Sequence, residues 1–191
     1  MIIGISAFYH DSAVAVVQNG QVIFAAQEER YTRIKQDSSF PVNALQDAVM
    51  QCDITTDNLK NIVFYEKPFI RFERILESSL SYAPYGLASY LEAIPIWLSE
   101  KLFIKQIIKR KIKKIPGTKK RIPIYFSWHH LSHAASSYFT SPFESSAILS
   151  LDGVGEWSSC CIYHGHQKKI KLIKEIRYPN SIGFLYSSFT Y

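Results

Sequence analysis

The chain has 191 residues, with 22 Lys+Arg against 16 Asp+Glu, a formal charge of +6 at pH 7. Apolar residues make up 47% and charged residues 20%, the balance of an ordinary folded protein, which excludes a disordered tail, a collagen-like chain and a coiled coil. The length allows one domain, or one and part of a second, with a sizeable buried core.

Residues 2–8 and 13–18 are short apolar segments rich in β-branched residues. Asn19-Gly20 is a two-residue hairpin turn signal, and residues 21–27 read as a third strand. Three strands joined this tightly predict an antiparallel meander. Residues 41–52 predict a helix, with Pro41 in the first turn and Val42, Leu45, Ala48 and Val49 on one face. Residues 61–65 predict a strand ended by Pro68. Residues 70–114 are mostly helical by periodicity, interrupted at Pro84-Tyr-Gly86 and Pro95 and stopped at Pro116-Gly117. A strand is expected over 122–126 and a helix over 129–139, closed by Ser141-Pro142.

The remainder reads as strand 147–151, strand 158–163, a turn at His164-Gly165, and strand 168–176. The order strand, loop, strand, tight turn, strand therefore occurs twice, and each copy has an acid in its first loop: His10-Asp11-Ser12 and Asp152-Gly-Val-Gly-Glu156. Identity between the copies is negligible, so the repeat is one of pattern. A duplicated meander followed by helices is similar to the plan of the actin-like ATPases, an α/β fold of the ribonuclease H-like type. On that plan residues 1–145 form one complete half, and residues 146–191 are the opening strands of an incomplete second.

Three cysteines, Cys52, Cys160 and Cys161, give neither ligand spacing nor a disulfide framework. The N-terminus has no basic region before its apolar residues, so no signal peptide is predicted. The most apolar stretch, 83–103, is broken by Glu92, Glu100 and Lys101 and predicts no transmembrane span. A cytoplasmic protein is expected.

The strongest chemical signal is Trp128-His129-His130-Leu-Ser-His133. His129 and His133 are four apart, so on a helix they share a face and are spaced to ligate one cation. His130 points about 100° away. The competing reading is a helix surface or hydrogen-bonded core histidines. Asp152, at the end of an apolar strand, could complete a His-His-Asp set on a divalent cation that also holds phosphates; the alternative is a plain Asp-Gly turn. Gly153 and Gly155 are expected to allow positive φ and close approach to phosphate oxygens. Glu156 either serves the same cation indirectly or is solvated. In the first loop His10, Asp11 and Ser12 could hydrogen-bond a phosphate or a substrate hydroxyl, or simply make a turn. Arg30, Arg33 and Lys35, in a charged loop, could bind an anion. Nine cations without an acid lie between Lys105 and Arg121, interleaved with isoleucines. This tract reads as an amphipathic surface helix with a basic loop, an anionic lipid or nucleic acid partner being the alternative.

Taken together, Gly4-Ile-Ser-Ala-Phe-Tyr-His10-Asp11-Ser-Ala-Val, Glu28-Glu29-Arg30-Tyr-Thr-Arg33, His129-His130-Leu-Ser-His133-Ala-Ala-Ser-Ser-Tyr-Phe, Ser141-Pro-Phe-Glu and Asp152-Gly-Val-Gly-Glu156-Trp157 resemble the O-carbamoyltransferase family, of the NodU and antibiotic-carbamoyltransferase type. So does the closing segment, 181–191. The resemblance implies a two-domain enzyme with an actin-like, TsaD-like N-terminal domain. A YrdC-like C-terminal domain, absent from these residues, would make carbamoyl-adenylate from carbamoyl phosphate and ATP. The N-terminal domain would pass the carbamoyl group to an alcohol. It further implies that His129, His133 and Asp152 are metal ligands, with iron the expected ion and a further ligand Asp lying beyond Tyr191. His10 and Asp11 would be catalytic, and Ser12, Arg30, Lys35, Gly153, Gly155 and Glu156 would contact substrate or nucleotide. Lys35-Gln36-Asp37 stands where the family often shows Lys-His-Asp. No nucleic acid partner is expected. The competing functional readings are an inactive remnant or binding module, and a TsaD-like tRNA threonylcarbamoyl transferase.

Overall fold

The computed structural model describes residues 1–81, 83, 103–118 and 121–190. The interruptions predicted at Pro84-Tyr-Gly86 and Pro95, most of the apolar stretch 83–103, and Lys119, Lys120 and Tyr191 lie outside the described residues. The chain forms a mixed α/β protein of two compact units, Met1–Tyr65 with Ile94–Phe126, and Glu66–Ala93 with Ser127–Tyr191.

The first unit holds β1 (Ile2–Ser6), β2 (Ala13–Gln18), β3 (Gln21–Gln27), α1 (Glu29–Thr32), α2 (Val42–Gln51) and β4 (Asn61–Phe64). Its described residues also include a basic helix, Ile104–Ile112, and β5 (Ile124–Phe126). The sheet order is β3-β2-β1-β4-β5. The β1–β2 and β2–β3 pairs are antiparallel, while β1–β4 and β4–β5 are parallel. The predicted meander is therefore present, with Asn19 and Gly20 both at positive φ (52° and 84°) in its second turn, as a type I′ hairpin requires. Alternation places Ile3, Ile5, Val14 and Val16 in the core with Ala44, Leu45 and Ala48 of α2. Each fully buried isoleucine or valine contributes about 1.5–3 kcal/mol.

β1 stops at Ser6, short of residue 8, because Phe8 takes φ 72°, a left-handed backbone that ends pairing and is unusual for a bulky residue. β5 begins at Ile124, after Pro123, which has no N–H to give a ladder. The segment expected as a charged loop contains α1, closed by Arg33 at φ 61°.

The second unit holds α3 (Pro68–Ser81), β6 (Ser145–Leu151), β7 (Ser158–His166) and β8 (Lys169–Arg177), with a histidine helix and a final helix named below. With the basic helix as α4, the histidine helix is α5 (His129–Tyr138) and the final helix is α6 (Ile182–Thr190). The β6-β7-β8 sheet is an antiparallel meander. Its tight turn falls after His166, with Gln167 at φ 53°, and not at His164-Gly165. Gly165 is a strand residue paired with Ser146 and Ile170. A Cβ there would lie 2.6–2.8 Å from the Tyr138 ring, so the glycine makes room for α5 on the sheet. Ala134, Tyr138, Ile148, Cys161 and Tyr163 form this unit's core. Among the described residues no helix is long and apolar enough to cross a membrane.

Candidate metal centre

Trp128 precedes α5 in an extended conformation and gives it no side-chain cap. The cap comes from elsewhere. Both Glu156 oxygens accept from the His129 backbone N–H (3.1 Å each), and Oε1 also accepts from the Lys67 N–H at 2.8 Å. A carboxylate at a helix N-terminus satisfies donors that the helix leaves open and faces its positive pole. Glu156 is buried, so the solvated reading of this residue does not hold. Its oxygens are engaged by the protein's own backbone.

The loop that carries Glu156 also carries Asp152. Asp152 Oδ1 accepts from the Gly153 N–H at 2.6 Å, which leaves Oδ2 turned to the histidines. His129 Nε2 lies 2.6 Å from Asp152 Oδ2 and 3.0 Å from His133 Nε2, and His133 Nε2 lies 3.6 Å from Asp152 Oδ2. The three donor atoms converge within 4.8 Å of one another. Two nitrogens and a carboxylate oxygen aimed at one spot need a proton or a cation among them. Donor atoms about 2.0–2.2 Å from one ion sit about 3 Å apart, the range seen here, and two histidines with one carboxylate and open positions suit a divalent iron-type ion. The His129 side chain is 8% exposed and that of His133 56%, so the cluster is rooted in the protein and open on its His133 side.

Behind His129 stands Glu66, with Oε2 3.8 Å from Nδ1. Arg71 Nη1 binds that carboxylate at 2.7 Å. Burial pushes the Glu66 carboxyl up, but His129 and Arg71 outweigh it and hold it below the usual range. A carboxylate at the far ring nitrogen of a metal-ligating histidine fixes the ring's orientation and raises its basicity. Burial likewise opposes a charge on His129, yet Asp152 and Glu66 raise its pKa to about 9. The Asp152 carboxyl is held far below its ordinary value, first by His129 and then by His133.

His130 has another job. Its Nδ1 meets Ser150 Oγ and its Nε2 the Ser158 carbonyl, both at 2.8 Å. The Nε2–H donates to the carbonyl and Nδ1 accepts from the hydroxyl, which ties α5 to β6 and β7. Burial lowers its pKa, in keeping with a neutral ring.

Gly153 and Gly155 do not take positive φ; among the described glycines only Gly20 and Gly117 do. Their place is explained by crowding. A Cβ on Gly155 would lie 3.1 Å from both His129 Cβ and His130 Cδ2, and one on Gly153 would lie 2.9 Å from Phe184. Gly183 is tighter still, since its Cβ would lie 2.3 Å from the Asp152 carbonyl oxygen. The start of α6 thus packs on the Asp152 loop, with Ser181 Oγ donating to the Gly153 carbonyl at 2.6 Å.

In the first unit His10 is exposed and Asp11 half-buried on the β1–β2 loop, with His10 Nδ1 2.8 Å from Asp11 Oδ2. Ser12 differs: it is fully buried, and its hydroxyl has no hydrogen-bond partner among the described residues. Phe8 and Asp11 both have positive φ, 72° and 48°. The loop is held in that shape by hydrogen bonds from Phe8 N–H to the Ser38 carbonyl and from Ser12 N–H to the Asp37 carbonyl, both 2.8 Å. Asp37 in turn accepts from Thr32 Oγ1 and the Ser39 N–H. Glu28 caps α2 by accepting from the N–H groups of Asn43 and Ala44. Arg30, Arg33 and Lys35 are exposed on this braced segment.

Sequence reasoning missed Glu66, Arg71 and Gly183, and the clamping roles of Glu28 and Asp37. Glu66 left one readable trace, an acid just past an apolar strand, as at Asp152.

Over its whole length, residues 1–191, the chain matches the family described as carbamoyltransferase N-terminus. It belongs to that family of transferases. It is 45% identical over 192 residues to the uncharacterized protein sll1178 of Synechocystis sp., covering all of this chain and 31% of the relative. It is 30% identical over 184 residues to the nodulation protein NolNO of Sinorhizobium fredii, covering 95% of this chain and 25% of NolNO. The uncharacterized protein MJ1058 of Methanocaldococcus jannaschii is 27% identical over 248 residues, covering 99% of this chain and 39% of the relative. The chain thus spans between a quarter and two fifths of the length of these curated relatives.

Proposed function

We propose that this chain is the N-terminal part of an O-carbamoyltransferase, which moves a carbamoyl group from carbamoyl-adenylate to a hydroxyl of a sugar or natural product. The adenylate would come from carbamoyl phosphate and ATP in a YrdC-like domain outside these residues. The observation that carries the reading is the convergence of His129, His133 and Asp152 in a chain matched end to end by a carbamoyltransferase family. Two meanders, one of them continued by two parallel strands, support an actin-like arrangement, with residues 1–145 as its first half and 146–191 opening its second.

His129, His133 and Asp152 would hold a divalent cation, with iron the ion that best suits the donor set. Bound there, it would supply positive charge to the adenylate phosphate and so a better leaving group. Glu66 keeps the His129 ring aimed, and Glu156 fixes the start of the helix that presents both histidines. The acceptor oxygen attacks the carbamoyl carbon, the bond from that carbon to the phosphate oxygen breaks, and AMP leaves. The hydroxyl proton goes to His10 Nε2, the ring nitrogen left free by the Nδ1 contact with Asp11. Arg30 and Lys35 are assigned to the anionic parts of the substrates, and Gly153 and Gly155 to the backbone beside the nucleotide.

The test is His10→Ala in the protein carrying its adenylate-forming domain. Carbamoyl transfer falls at least about a hundredfold while carbamoyl-adenylate formation continues. Equal loss of both steps rejects the role given to His10.

A further inference from the structure

We propose that the α4 face of the first unit docks on an anionic lipid bilayer. The helix divides sharply. Ile104 and Ile108 are fully buried in the core, with Ile107 and Ile112 packed beside them. The opposite arc carries Lys105, Lys109 and Arg110, followed by Lys113 and Lys114, all exposed, and Arg121 is exposed a little further on. No acid stands between Phe103 and Arg121, so these cations have no acidic partner three or four residues away along the helix; Asp57 meets the tract at Thr118, whose Oγ1 donates to it at 2.6 Å.

Apolar grooves flank the cations. One, of about 490 Å³, has Val42, Leu45, Val49 and Ile115 along it and Arg110 and Lys114 at its edge. The other, of about 600 Å³, runs along Ile112, Ile115 and Ile122 with Lys109, Lys113 and Arg121. No acid is among the described residues that line either groove. Met50 and Phe103 stand exposed, at 69% and 51%. A bilayer surface offers phosphates to the lysines and acyl carbon to the apolar side chains, which is the pairing of signals that stable peripheral binding needs. The most apolar stretch of the sequence, 83–103, also leads directly into this tract. A nucleic acid would use the charge but not the grooves. Among the described residues of 103–121 Phe103 is the sole aromatic, and Phe40, which lines the first groove, is buried, so the described part of this face offers no series of exposed rings on which unpaired bases could stack. Because the isoleucine face of α4 is already buried in the core, the helix would lie on the headgroups by its cationic arc and not insert.

The test is flotation of the chain with vesicles of phosphatidylcholine alone and with about a third phosphatidylglycerol. Binding is expected to the anionic vesicles only and to fall away in high salt. Lys105→Gln, Lys109→Gln and Lys113→Gln together should weaken partitioning about a hundredfold, near fivefold per cation. Equal binding to neutral vesicles, no binding to either, or indifference to salt overturns the proposal, and the salt series on the unaltered chain needs no variant. Displacement from anionic vesicles by a DNA oligonucleotide at lower concentration than by free phosphatidylglycerol vesicles also overturns it, in favour of a nucleic acid partner.

Discussion

The His129 imidazole is the pivot of the second unit, and its surroundings make an opposite demand on it with and without a cation. Without one, Asp152 and Glu66 keep it protonated up to about pH 9. Its folded pKa then exceeds the unfolded value of about 6.5. The stability this adds, at most about 3 kcal/mol and shared with the Asp152 partner rather than added to it, is fully present below about pH 6.5. It is lost as pH rises through about 9. A bound cation takes the place of that proton, so metal affinity should rise with pH and the alkaline loss should disappear. Denaturant midpoints between pH 6 and pH 10, measured with chelator and with added divalent metal, check this. A metal-free profile flat across that range would contradict the arrangement. Much of the cluster was readable beforehand, because the spacing of His129 and His133 and the strand-end place of Asp152 are local signals. Glu66 was not. Its partner lies 63 positions along the chain (129 − 66), and only the fold brings them together.

Elements were readable where periodicity and turn chemistry agree. The first meander, α2 and α5 lie close to their expected bounds, because Asn19-Gly20, Pro41 and the Ser141-Pro142 break each have one structural use. The second meander shows where a local rule gives way. Gly165 reads as a turn residue by type, yet it is paired within β7, next to its last residue, because the Tyr138 ring needs its surface. The short helix α1 was hidden by its charges. Glu28, just before it, is spent on capping α2, a contact 15 residues away that no local pattern shows. Long-range caps of this kind are testable. In Glu156→Ala the buried N–H of His129 and the part-buried N–H of Lys67 lose their acceptor. The expected cost is about 2 kcal/mol, within the range for lost caps and orphaned buried donors. Urea denaturation measures it, and a change below about 0.5 kcal/mol would show that the cap does not hold α5.

The chain belongs to the carbamoyltransferase N-terminus family and presents a clustered donor set and a braced His10-Asp11 loop. The family was legible because its motifs are joined runs of unusual residues. The identity of any substrate was not, since specificity rests on pocket shape and no spacing of residues records it. The centre proposed for carbamoyl transfer is a cation held by His129, His133 and Asp152, and metal content after aerobic and anaerobic purification measures it most directly. His133→Ala is the comparison of choice, because its side chain is half exposed and its loss should cost little stability. The unaltered chain should retain about one divalent transition-metal ion, and the variant almost none. A chain that binds no such ion, or a His133→Ala variant that holds as much as the original, would contradict the proposed centre.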